Sequence, residues 1–211
     1  MTGTSIFLLQ MIFYFCYDLT AEQLKLYNAD IHLFEQVKKG RARALAKLFE
    51  KYYEPLCNFA FLFLKDTKLT EEIVDDVFIN IWRKRETLVI HTNPKAYLYR
   101  STRNGVVSYL RKNKPVFDPN WMLENGETNG PPFSPETLMI RKEIADKVTY
   151  LLDKLPAQAG LVFRMQKLDG MKYKEIAEVL NISVKTVESH MGRALKIFRL
   201  MYEENANFFD D

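Results

Sequence analysis

The sequence predicts an all-α protein built as two small helical domains joined by a flexible linker. Three observations predict it. Apolar residues recur at helical spacing over 28–113 and again over 137–201; no stretch shows the strict alternation of a half-buried strand; and five of the eight prolines crowd between Pro115 and Pro135. With 211 residues, 47% of them hydrophobic and 27% charged, the chain has enough apolar side chain for packed cores and is not disordered throughout. A formal charge of +3 is too small to name a partner, so the local distribution of charge carries the argument.

The expected boundaries are an N-terminal extension over 1–27, a first domain over 28–114, a linker over 115–136, a second domain over 137–201 and an acidic tail over 202–211. The extension contains an apolar run from Ser5 to Tyr17, shorter than the roughly 20 residues a spanning helix needs. Met1 to Ser5 contains no Lys or Arg, so it lacks a secretory leader. It reads as an upstream extension from a misplaced start codon rather than an anchor, and no stable membrane insertion is expected.

Within the first domain, Thr70 to Arg85 predicts a helix with Thr70 as its N-cap and Glu71 and Glu72 near the positive end. Ile73, Val74, Val77, Phe78, Ile81 and Trp82 form its core arc. The opposite arc carries Glu72, Asp75, Asp76, Asn80 and Arg83 with Ile79 stranded among them. An acidic face repels DNA, and an apolar residue inside it suits a protein contact, although singly exposed isoleucines are common.

Asn93-Pro94 then reads as a cap followed by proline at the first helical position of a helix running to about Asn113. Leu98, Thr102, Val106, Tyr109 and Leu110 make its expected buried arc. Tyr97, Arg100, Asn104, Ser108 and Arg111 line the other, and Arg103 adds charge beside them. Between Pro94 and Lys114 there are six basic residues and no acid, a field that the net charge conceals. Rings and amides interleaved with arginine suit unstacked bases better than an intact duplex. A solvated amphipathic helix is the plainer alternative.

The linker carries Asp118, Glu124, Glu127 and Glu136 and no basic residue. In the second domain, Gly170 precedes a helix from Lys172 to Leu180 with Tyr173, Ile176, Ala177 and Leu180 on one face. Asn181-Ile182-Ser183 breaks it, and Ser183 is the expected N-cap of the next helix, its hydroxyl accepting from Lys185 or Thr186. Val184, Val187, Met191, Ala194, Leu195 and Phe198 fall in one arc of that helix. Lys185, Ser189, Arg193 and Lys196 fall in the other, with Thr186 near its start and His190 at the edge. Two helices, a short turn and an outward basic stripe are what a major-groove recognition helix requires.

Catalytic and metal chemistry find no support. Cys16 and Cys57 lack CxxC spacing, and His32, His91 and His190 lie far apart. Cys57 stands in the apolar run Leu56 to Phe61 and reads as core packing. No cofactor, metal or small-molecule substrate is expected, and two scattered cysteines suit a reducing cytoplasm.

Three segments carry a resemblance. Glu72-Ile-Val-Asp-Asp-Val-Phe-Ile-Asn-Ile-Trp82 resembles the segment by which sigma factors dock on the largest subunit of core RNA polymerase. Pro94-Lys-Ala-Tyr-Leu-Tyr-Arg-Ser-Thr-Arg-Asn104 resembles their −10 reader, and Leu155 through Arg199 their −35 reader. Over 30–199 the chain is similar to the extracytoplasmic-function (ECF) sigma factors, in the flavour of the iron-citrate type of Bacteroidetes. The resemblance implies that Glu72, Asp75, Asp76, Ile79, Asn80 and Arg83 hold core polymerase. It implies that Tyr97, Arg100, Arg103, Asn104, Ser108 and Arg111 meet the melted −10 strand, and that Lys185, Thr186, Ser189, Arg193 and Lys196 read the −35 duplex. It also implies an anti-sigma partner. Tyr97 stands where many relatives carry Trp, Gly160 takes a usual Arg position, and Gly105 interrupts the reader helix at a cost of about 1 kcal/mol relative to Ala. The rival reading is a response-regulator or quorum-type transcription factor, since Ile182 to His190 resembles that helix-turn-helix as well. A receiver needs alternating strands, which 28–113 does not offer.

Overall fold

The computed structural model describes residues 20–90, 93–113, 152 and 154–204, with side chains described within 29–201. Among the described residues there are seven helices and no strand: α1 Thr20–Lys38, α2 Ala42–Leu64, α3 Thr67–Arg83, α4 Pro94–Asn113, α5 Ala157–Lys167, α6 Tyr173–Leu180 and α7 Val184–Glu204. The apolar run before Thr20, the acidic linker, 137–151 and the end of the tail lie outside them. Helix α1 runs through the boundary drawn at residue 28, and α7 reaches Glu204, into the expected tail.

Helices α1 to α4 form one bundle. Gly40, at φ +74°, supplies the left-handed residue that turns α1 into α2. Asp30, almost fully buried, ties the two helices together by accepting from Lys51 Nζ at 2.6 Å and from the buried Tyr52 hydroxyl at 2.5 Å. Lys65, at φ 54°, ends α2, and the α3 cap follows at once: the Asp66 carboxylate accepts from the Leu69 amide at 3.0 Å. This corrects the expected cap at Thr70, which lies inside α3 and is buried, because a two-residue turn leaves no room for a later start. Cys57 is half-buried among apolar neighbours, and burial pushes its thiol up to about 11, so it packs rather than reacts.

The α3 core arc is as read, with Ile73, Val74, Val77, Phe78 and Ile81 buried and Trp82 half-buried under the Arg85 guanidinium. In α4 the buried set is Pro94, Ala96, Leu98, Tyr99, Thr102, Val106, Val107 and Leu110. Tyr109, expected inside, is exposed, while Tyr99 and Val107 are buried, because α4 packs on two sides rather than one. Gly105 is where α3 and α4 approach: a Cβ there would meet Ile73 Cγ2 at 2.8 Å. The helix-propensity cost of Gly105 is therefore offset by close packing against a stiff β-branched neighbour. Gly105→Ala is expected to lower stability by about 1 kcal/mol in urea, since overpacking of about 1–3 kcal/mol exceeds the propensity gain. In combination with Ile73→Ala the two losses should fall short of additivity, because the clash is then gone.

Helices α5 to α7 form the second body. Gly170, at φ +62°, leads into α6, and Asn181, at φ 58°, ends it. Ser183 caps α7, accepting from the Thr186 amide at 3.0 Å, as its position predicts. Val187, Met191 and Ala194 are buried. Val184 and Leu195, placed in the inner arc by periodicity, are exposed, because α5 and α6 cover only a narrow strip of α7. The two bodies share one continuous core, joined where α6 lies against α4.

Candidate functional site

Three surfaces collect the residues singled out by sequence. On α3, Glu72, Asp75, Asp76, Asn80 and Arg83 are all exposed, and Ile79 stands 44% exposed among them. Sequence reading missed Phe49 of α2. It is 37% exposed, stacked on Tyr53 at 4.4 Å and edge-on to Phe78 at 5.0 Å, which sets it on the α2–α3 seam. Its signal was present: Phe49 falls outside the α2 core register of Ala44, Leu48, Tyr52 and Leu56. The face thus pairs carboxylates with exposed apolar anchors, a chemistry suited to a protein surface.

On α4, Arg100, Asn104, Ser108 and Arg111 are exposed along one line. The Asn93 carboxamide starts the helix by accepting from the Lys95 amide at 2.8 Å, and Pro94 follows the cap as read. Tyr97 is half-buried, its ring edge-on to Phe34 at 6.3 Å, so one face is held while the rest can stack. Arg103 is also half-buried, and loss of solvent lowers its pKa from the ordinary arginine value. The structure keeps four of the six predicted α4 residues fully accessible and draws two inward.

On α7, Lys185, Ser189, Arg193 and Lys196 are exposed. Thr186 is half-buried and engaged in the cap, its hydroxyl 2.7 Å from the Ser183 hydroxyl. His190, expected at the stripe edge, is buried, and desolvation, with Arg193 nearby, lowers its pKa. Gly192 lies in the exposed stripe with nothing within 4 Å of an added Cβ. Gly192→Ala is expected to stabilise the free protein by about 0.5–1 kcal/mol, read as a higher Tm, since no contact opposes the propensity gain.

No group of three or more metal-ligating side chains occurs among the described residues, and no described helix is long and apolar enough to cross a membrane. The geometry defines a two-body helical protein with an exposed acidic ridge, a basic aromatic helix and a helix-turn-helix. Comparison with known proteins agrees. The sigma-70 region 2 model matches residues 48–116, and the sigma-70 region 4 model matches residues 145–197. The ECF RNA polymerase sigma factor SigW of Bacillus subtilis is 24% identical over 172 residues, 78% of this chain and 92% of the relative. The ECF RNA polymerase sigma-E factor of Escherichia coli is 27% identical over 169 residues, 77% and 88% respectively. Among solved structures, CnrH in complex with the cytosolic domain of CnrY is 24% identical with a TM-score of 0.54, covering 83% of this chain and 98% of that one. The chain belongs to the ECF branch of the sigma-70 family. It is a promoter-directing, non-catalytic specificity subunit.

Proposed function

We propose that the chain acts in the cytoplasm, docks on core RNA polymerase through α3, and reads the −10 element with α4 and the −35 element with α7. The observation that carries this division of labour is the sign of the exposed charge: carboxylates around Ile79 on α3, arginines on α4 and α7. Asp75, Asp76, Ile79 and Asn80, with Glu72 and Arg83 at the margins and Phe49 at the seam, make the docking ridge. Arg100, Asn104, Ser108 and Arg111 meet the single strand, with Tyr97 and Arg103 reached from the side. Lys185, Ser189, Arg193 and Lys196 face the duplex, and Thr186 acts mainly through the cap.

An anti-sigma protein is the expected regulatory partner. CnrH is a structural neighbour solved with CnrY, and RpoE, solved with the anti-sigma factor NepR from Bartonella quintana, aligns with a TM-score of 0.50 at 19% identity. The iron-citrate type remains the subgroup we assign on the sequence. The test is in vitro transcription with the host's core polymerase on genomic DNA: the chain should start transcripts at a defined promoter set. Core that initiates at the same sites with and without it would refute the reading. A receiver-type regulator finds no support, since no strand occurs among the described residues and the first bundle matches region 2.

A further inference from the structure

We propose that the turn between α1 and α2 is a further nucleic-acid surface, gripping the sugar-phosphate backbone of the melted promoter strand where it runs on past α4. A run of charge carries the argument. From Lys38 to Lys47 the chain holds five basic residues, Lys38, Lys39, Arg41, Arg43 and Lys47, with no acid among them, and all five are exposed. The whole chain carries only +3, so this corner concentrates a field that the remaining surface cancels. The end of α3 adjoins it: a Cβ on Gly40 would lie 3.9 Å from Arg85 Nε, and the exposed Lys84 precedes that arginine. Arg85 itself is held over the Trp82 ring, donating to the Trp82 carbonyl and pairing with Glu86. Glu86 and Glu35 share a shallow hollow with Lys38 and Lys39. Uncompensated charge therefore falls on Arg41, Arg43 and Lys47, which no carboxylate pairs among the described residues. Helix α2 also starts without a side-chain cap or an acid in its first turn, so its positive end adds to the field.

The chemistry selects the occupant. Apart from its cations the stretch is Gly, Ala and Leu, with no amide, hydroxyl or ring that could read a base. Lysine and arginine without such groups suit phosphate, in contacts that position a strand and carry no sequence information. Position selects the strand. Phe34 lies one turn before Lys38, about 6 Å away along α1, and meets the Tyr97 ring edge-on at 6.3 Å. The corner thus adjoins the Tyr97 end of the α4 line, and a single strand stacked along that line reaches it on leaving.

The proposal rests on the α4 reading for the identity of the strand, and the two are tested apart. Holoenzyme reconstituted with the host's core is titrated, over a range of salt, with labelled single-stranded DNA carrying the −10 element alone or extended by about six nucleotides on either side. Wild type should bind one of the extended strands more tightly than the bare element. Arg41→Ala/Arg43→Ala/Lys47→Ala should lose that gain, and its salt slope on that strand should fall by about 2, at about 0.7 per phosphate for three contacts. Its binding to the bare element and to core should not change. Should the triple variant lose helical circular dichroism, Arg43→Gln alone should lower the slope by about 0.7. No gain from extension in wild type, or an equal gain in the folded variant, would overturn the proposal. So would loss of core affinity in the variant, which would make the corner a protein contact, and a gain seen only with RNA, which would assign it to the transcript. The bare element reports on α4 separately: Arg100→Ala should weaken its binding, and an unaltered Kd there would remove α4 as the −10 reader while the effect of extension still decides the corner.

Discussion

Asp76→Arg combined with Ile79→Glu is expected to abolish binding to core RNA polymerase while leaving the fold intact. Both side chains are exposed on α3 and belong to none of its buried positions, so their replacement should move stability by no more than about 0.5 kcal/mol. The same change replaces an apolar anchor with a carboxylate and reverses the charge at position 76. Anchors at the centre of an interface are worth about 2 kcal/mol or more each, and like charges across a contact cost several more. Together these exceed about 4 kcal/mol, roughly a thousandfold in Kd. Co-purification with core, alongside circular dichroism and a melting curve, checks both halves of the expectation. Wild-type affinity in a folded double variant would remove α3 from the docking ridge.

Arg193→Ala is expected to weaken initiation at promoters with an intact −35 element by about 1–3 kcal/mol, the range for loss of a bidentate base contact. Arg193 is exposed in the middle of the α7 stripe, and the adjacent Gly192 presents no side chain to hold a duplex away. Lys196→Ala should behave differently. A phosphate contact carries no sequence information, so its loss should weaken binding evenly across promoters and reduce the salt slope by about 1. Abortive-initiation rates on a panel of −35 substitutions separate the two. A variant lacking Arg193 with unaltered preference would show that this arginine does not read bases.

Most of the fold was legible where one helix face meets one core. The α3 core arc, the Asn93-Pro94 start and the Ser183 cap all follow from periodicity and capping chemistry, which act within a single turn or two. The differences fall where a second neighbour intervenes or an expected one is missing. Tyr99 and Val107 fall in neither arc that periodicity assigns, yet both are buried because α4 is packed on its flank by the second body. Tyr109, Val184 and Leu195 read as buried, but no described helix covers them. Thr70 looked like a cap because Thr-Glu-Glu is a common helix start, whereas the left-handed Lys65 let Asp66 take that role earlier.

The site shows the same division. Which residues bear charge, and on which arc of which helix, follows from the order of side chains along the chain, because helical geometry turns spacing into direction without reference to anything else. Gly105 shows what spacing cannot reveal: alone it is a weak point in a helix, and only the approach of Ile73 makes it a requirement. Partial burial of Tyr97 and Arg103, withdrawal of His190 and the pairing of Asn93 with Glu175 likewise exist only once distant segments meet. The sequence by itself determined the helices, their charged arcs and the family. The tertiary structure decided which of those arcs stay in water, because burial depends on contacts between residues far apart in the chain, and no local period encodes them.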